Sequence, residues 1–218
     1  MENTPYHMVA KMLTLPLLVL LSLPAALALS CFGSQREYLQ YLQSTSALPA
    51  GFQVGTARFN FQPFEVDKIL PMNLTLIVAD KPTDSFAAMF TSNEFCGGPI
   101  IIGKERVRDP NAVLQAIVVN NKISNVCPGA GVTDRGAGDS DSLCEAVAKT
   151  LKLSSKNVVF PSSTGIIGWR LPVDSMKAGI PIAATNLQSN SILPAALGIT
   201  TTDRYPKIRR YVSKNNKW

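Results

Sequence analysis

Residues 141–165 read DSLCEAVAKTLKLSSKNVVFPSSTG, and the change of period inside them sets the fold class. Leu143, Val147 and Leu151 recur every four residues, the spacing of one helix face, and Asp141 is placed to cap the first turn of a helix ending near Ser154. Val158, Val159 and Phe160 form a short apolar run, predicted as a strand, which stops in a turn at Pro161-Ser162-Ser163-Thr164-Gly165. A helix followed by a strand that ends in a hydroxyl-rich, glycine-containing turn is α/β construction, and the carboxyl end of such a strand often carries chemistry.

Upstream, residues 73–79 (NLTLIVA), 85–90 (SFAAMF), 99–102 (PIII) and 116–120 (AIVVN) have the composition of strands, separated by Asp-Lys-Pro, Gly-Gly-Pro and Asp-Pro turns. A short helix is predicted around 36–43, in the polar linker 31–47. Downstream, Pro172 suits the first turn of a second helix, running with interruptions at Gly179 and Pro181 to about Gln188, and 198–202 (GITTT) reads as a further strand. Strands first, then helix alternating with strand, predict a mixed α/β domain with helices packed on a mixed sheet. The Asn73-Leu74-Thr75 sequon is read as part of a strand rather than a glycosylation site.

Composition narrows the function classes. The chain has 218 residues, 46% of them hydrophobic, enough for a sizeable core. Its net charge is +6, but Arg204, Lys207, Arg209, Arg210, Lys214 and Lys217 lie in the last fifteen residues, and the rest of the chain balances its 15 Asp and Glu. The basic tail is therefore a solvated end, and no nucleic-acid partner is expected. Residues 12–30 (MLTLPLLVLLSLPAALALS) are uncharged and include Ala26-Leu27-Ala28, so 1–30 read as a signal-peptide-like leader or, bent by Pro16 and Pro24, an anchor. The four cysteines, Cys31, Cys96, Cys127 and Cys144, form no C-x-x-C motif and are expected as free thiols. The only histidine, His7, lies in the leader, so a histidine-assisted hydrolase mechanism and a histidine metal site are excluded from the domain.

Thr164-Gly165 admits three readings. Gly165 gives the chain a conformation closed to other residues, so that a backbone N–H and the Thr164 hydroxyl can point to one spot and stabilise an oxyanion. The same donors can hold a phosphate, although no Lys follows Gly165 as a P-loop requires. The third reading is a turn capped by its own hydroxyls.

Four motifs in register from about Leu48 to Lys207 carry a resemblance. Phe90-Thr91-Ser92-Asn93 is similar to F-T-x-N, and 116–120 provides the strand that follows it. Ser163-Thr164-Gly165-Ile166-Ile167-Gly168 with Leu171-Pro172 is similar to S-T-G-x-I-G-x-x-L-P, and Thr201-Thr202-Asp203 with Pro206-Lys207 to T-T-D-x-x-P-K. The chain thereby resembles the amino-terminal (α) half of the ornithine acetyltransferase (ArgJ) family, the glutamate N-acetyltransferases of arginine biosynthesis. The resemblance implies an α-β-β-α layered sandwich of the DmpA/ArgJ-like type. It implies an N-acyltransferase in which a precursor cuts itself before a threonine, whose freed amino group then serves as base for its own hydroxyl. That threonine accepts acetyl from N-acetylornithine and passes it to glutamate. No cofactor is implied, with acetyl-CoA a co-substrate of bifunctional members.

On the matching positions, Thr164 and Gly165 would form the oxyanion hole, and Thr201 or Thr202 would lie against the amino-acid moiety of the substrate. The family implies a partner β half, giving a hetero-oligomer of α and β chains in the mitochondrial matrix or cytoplasm, whereas the leader reads as secretory. Two departures stand out. Where the pattern has N-x-G-x-A-N, this chain reads Asn120-Asn121-Lys122-Ile123-Ser124-Asn125, without the glycine. The self-cleavage segment K-G-x-G-M-I-x-P-x-M-A-T is expected soon after Lys207, where 209–218 read RRYVSKNNKW. The expectation is a truncated α half without the nucleophilic threonine; the alternative is a non-catalytic remnant or binding module on the same scaffold.

Overall fold

The computed structural model describes residues 32–129 and 131–210, and the chain divides into two compact units, Met1–Thr45 and Ser46–Trp218. In the first, helix α1 (Gln35–Thr45) encloses the helix expected at 36–43. Ser34 Oγ accepts the Glu37 N–H at 3.2 Å and the Glu37 carboxylate accepts the Gly33 N–H at 2.7 Å, which satisfies two donors at the helix start. The leader, 1–30, lies outside the described residues; among them no helix is long and apolar enough to cross a membrane.

The second unit is built on a four-stranded sheet in the order β1 (Phe52–Phe61), β2 (Leu70–Thr83), β3 (Leu114–Asn120), β4 (Val159–Ser163). The first two pairings are antiparallel and β3 pairs with β4 in parallel, so the sheet is mixed as expected. A parallel pair needs a crossover connection. Residues 121–158 supply it and contain α3 (Ala137–Leu151). Helices α2 (Gly98–Arg106), α4 (Val173–Thr185) and α5 (Leu193–Gly198) complete the unit.

Strand register decides what each face buries. Ala57 pairs with Leu74, Leu76 with Val118 and Val78 with Ala116, which puts these residues on one face. There they pack with Leu143, Cys144 and Val147 of α3 and Met176, Ile180 and Ala183 of α4 into the core. On the opposite face Thr56 pairs with Thr75, and α5 crosses so closely that a Cβ on Gly198 would lie 2.4 Å from the Thr75 hydroxyl. Thr75 is fully buried, in keeping with the strand reading of the sequon. Ile77, Ile117 and Val119 on this second face are only half-buried.

Several expectations are corrected. Residues 99–102 begin α2 instead of forming a strand: Pro99 sits in the first turn, where its missing N–H costs no helical bond. Residues 85–90 pair with no strand; Phe86 packs edge-on against Phe160 at 5.6 Å between ring centroids, and the Phe90 ring covers Gly103. Residues 198–202 are the end of α5 and the turn after it, because the Thr200 hydroxyl and N–H both return to the Leu197 carbonyl. α3 starts four residues before Asp141, and its N-cap is Gly136; the Asp134 carboxylate, two residues earlier, accepts the N–H groups of Gly136 and Gly138 at 3.0 and 2.7 Å. Strand β1 was not predicted.

Asp141, released from the capping role, pairs with Arg106 at 3.1 Å and with Lys156 at 2.5 Å. The guanidinium of Arg106 also donates to the Cys144 sulfur at 3.4 Å, and burial pushes the Cys144 thiol up to about 11. Cys96, Cys127 and Cys144 are free thiols.

Candidate functional site

The two parallel strands end side by side, and the site grows out of their last residues. Asn120 closes β3 opposite Ser163 of β4. The Ser163 hydroxyl donates to the Asn120 side chain at 2.6 Å, while Asn120 Nδ2 donates to the Ile123 carbonyl at 2.8 Å. A buried amide thus braces both strand ends and the turn beyond β3. In that turn the Ile123 N–H bonds the Asn121 carbonyl at 3.0 Å around Lys122, whose φ is +75°.

Residues 164–166 lie alongside this turn. Thr164 N–H donates to the Asn120 carbonyl at 3.0 Å, Ile166 N–H to Lys122 at 2.8 Å, and Ser124 N–H back to Ile166 at 2.9 Å. Gly165 has φ +135°, and a Cβ there would lie 2.2 Å from the carbonyl carbon and oxygen of Lys122. Only glycine fits, for conformational and steric reasons together.

These bonds consume the backbone donors of Thr164 and Ile166. Among the described residues, the Gly165 N–H and the Thr164 hydroxyl between them have no hydrogen-bond partner. Two free donors on adjacent residues at a strand's carboxyl end can donate to a carbonyl oxygen or an oxyanion. Among the described residues the Thr164 hydroxyl is hydrogen-bonded to no general base.

Thr201 and Thr202 lie exposed in the turn after α5. Their segment is tied to the same strand ends by Asn121, which accepts the Asn73 N–H at 2.7 Å and donates to the Thr200 carbonyl at 2.9 Å. Asn121 therefore ties the turn after α5 to the end of β3, next to Asn120, whose carbonyl takes the Thr164 N–H. Within T-T-D-x-x-P-K, Asp203 pairs with Lys207, and that hydrogen bond holds the Asp203 carboxyl below its ordinary range. Asn121 and Lys122 were not chosen from the sequence as site residues; the Asn-Asn pair directly after an apolar strand was the available signal.

On the other side the chain continues past Gly168, whose N–H bonds the Val126 carbonyl at 2.9 Å. The Arg170 N–H then donates to Glu65 in the β1–β2 connection at 2.9 Å, and its guanidinium lies 5.8 Å from the Phe64 ring centroid. Two cavities of about 240 and 390 Å³ lie elsewhere, around Arg106, Glu105 and Asn157. Among the described residues no cluster of His, Cys, Asp or Glu could hold a metal ion.

The ArgJ family model matches residues 65–217, which include all of these strand-end segments. The chain is 37% identical over 133 residues to the arginine biosynthesis bifunctional protein ArgJ 2 of Clostridium acetobutylicum, an alignment covering 61% of this chain and 32% of that protein. It is 32% identical over 163 residues to the ArgJ protein of Nitratidesulfovibrio vulgaris, covering 75% of this chain and 38% of the relative. The chain thus spans about a third of the length of these curated relatives. In fold it is similar to a chain of the ornithine acetyltransferase of Mycobacterium tuberculosis, solved with ornithine, with a TM-score of 0.60 at 24% identity over 73% of this chain and 81% of that one. The family match over most of the chain, the sequence relatives and the shared fold agree: this chain belongs to the ArgJ family.

Proposed function

We propose that the chain supplies the carbonyl-binding half of an acetyl-transfer site that moves acetyl from N-acetylornithine to glutamate in arginine biosynthesis. The observation that carries this reading is the pair of free donors, Thr164 hydroxyl and Gly165 N–H, inside the family-matched region. A threonine hydroxyl supplied by a second segment attacks the acetyl carbonyl and gives up its proton to its own α-amino group. The carbonyl oxygen becomes an oxyanion held by Thr164 and Gly165. Collapse breaks the acetyl–nitrogen bond, the proton goes to the departing ornithine amine, and the acetyl stays on the threonine. The amine of glutamate then attacks this ester and regenerates the hydroxyl. Acetyl-CoA is the alternative acetyl donor for a bifunctional member.

Thr201 and Thr202 contact the amino-acid portion of the substrate, held at the site by Asn121. The half-buried Ile77, Ile117 and Val119 are the surface on which a second sheet completes the α-β-β-α sandwich and joins this chain to a partner β chain. The test is acetyl transfer by this chain co-expressed with the portion of the Clostridium relative beyond its matched segment. Transfer from N-acetylornithine to glutamate that needs both parts supports the proposal; an inactive but soluble, associated pair counts against it.

A further inference from the structure

Lys122 sits where a side chain is least welcome. It is the central residue of a γ-turn with φ +75°, closed by the Ile123 N–H to the Asn121 carbonyl at 3.0 Å, a conformation that is rare and strained for any residue but glycine. Lys152 also has a positive φ, +54°, but it terminates α3, where the left-handed conformation lets its N–H reach the Ala148 and Lys149 carbonyls. No helix end accounts for Lys122. The side chain is half-buried, and among the described residues its ammonium has no carboxylate or hydrogen-bond partner.

The position of this strain is informative. The Lys122 carbonyl takes the Ile166 N–H, and its peptide lies directly against Gly165. The lysine therefore stands one peptide away from the two free donors and carries its ammonium on a flexible four-carbon stem. In an N-acyl amino acid only the amide nitrogen and Cα separate the acyl carbon from the carboxylate carbon, so a group that binds the carbonyl leaves the carboxylate close by. Building on the carbonyl-binding role of Thr164 and Gly165, we infer that Lys122 is a specificity-determining residue whose ammonium pairs with the α-carboxylate of the N-acyl amino acid.

The experiment titrates N-acetylornithine and its α-carboxamide onto the 218-residue chain and its Lys122→Met, Lys122→Gly and Thr164→Ala variants by calorimetry. Lys122→Met is expected to weaken the carboxylate ligand about ten- to a hundredfold and to leave the carboxamide unchanged. Lys122→Gly is expected to lose the same affinity while its Tm rises by about 2–4 °C, since glycine relieves the turn; a purely structural residue would not lose affinity as stability increases. Lys122→Met affinity within twofold of wild type, or equal weakening of both ligands, overturns the inference. If Thr164→Ala abolishes binding while Lys122→Met does not, the carbonyl site stands and the role of Lys122 falls. If Lys122→Met discriminates between the ligands while Thr164→Ala binds normally, Lys122 stands and the carbonyl reading falls. No binding of either ligand to wild type at millimolar concentration overturns both.

Discussion

Gly165→Ala tests whether the candidate site is built as described. The added Cβ would lie 2.2 Å from the carbonyl carbon and oxygen of Lys122 and 2.7 Å from the Ile123 nitrogen. Ordinary contact needs about 3.5 Å, so the two segments must separate by roughly 1 Å. They are joined by the bonds from Thr164 to Asn120, Ile166 to Lys122 and Ser124 to Ile166, at 3.0, 2.8 and 2.9 Å. Losing two of these costs about 2 kcal/mol, and holding alanine at φ +135° adds roughly 1–3 kcal/mol. The expected loss of about 3–5 kcal/mol is large against the 5–15 kcal/mol typical of a folded domain. Urea unfolding measures it, and hydrogen exchange should show faster exchange at the Ile166 and Ser124 amides. A loss below about 1 kcal/mol with unchanged exchange would refute the close approach.

Three further outcomes are expected. In a co-expressed pair that carries the nucleophilic threonine, Thr164→Ala should lower kcat about 100-fold; an unchanged kcat would return Thr164 to the turn reading. Asp141→Ala, which strands the buried Arg106 guanidinium, should cost about 3 kcal/mol, whereas Lys156→Ala, at the exposed end of the same cluster, should cost less than about 1 kcal/mol; the reverse order in urea unfolding would contradict this arrangement. Cys144 ionises from 9.0 when unfolded but only near about 11 when folded, so its contribution is complete below pH 9 and is lost as pH rises toward 11. Across that window wild type should lose about 2 kcal/mol more stability than Cys144→Ala; parallel profiles would sink the claim.

The sequence showed the fold best where period and length agreed. The four-residue repeat of Leu143, Val147 and Leu151 placed α3, and the apolar runs at 116–120 and 158–160 placed β3 and β4. It misled where the apolar run was short. Pro-Ile-Ile-Ile at 99–102 suits a buried strand and a buried helix equally, and the helix prevails because Gly97 and Gly98 pack tightly on Asn125 and Gly136 at its start. In β1 the alternation is diluted by Gly55, Arg58 and Asn60, and Gly55 is required because a Cβ would lie 2.1 Å from the Ala183 carbonyl of α4. Residues 85–90 have a strand's composition without a strand's partner. At the candidate site, residue type singled out Thr164 and Gly165 but left three readings open, and the S-T-G resemblance favoured the oxyanion hole. The bracing by Asn120, the link through Asn121 and the strained turn at Lys122 depend on contacts across the ends of β3 and β4, which no local pattern records.

The central claim is that the Thr164 hydroxyl and the Gly165 N–H together receive the acyl carbonyl of the substrate. Its most direct measurement is an NMR titration of the 218-residue chain with N-acetylornithine, following the Gly165 amide. A saturable downfield shift of that amide, absent in Thr164→Ala and absent with ornithine, which has no acyl carbonyl, is the predicted result. Saturable binding of N-acetylornithine that leaves the Gly165 amide unmoved would contradict the account.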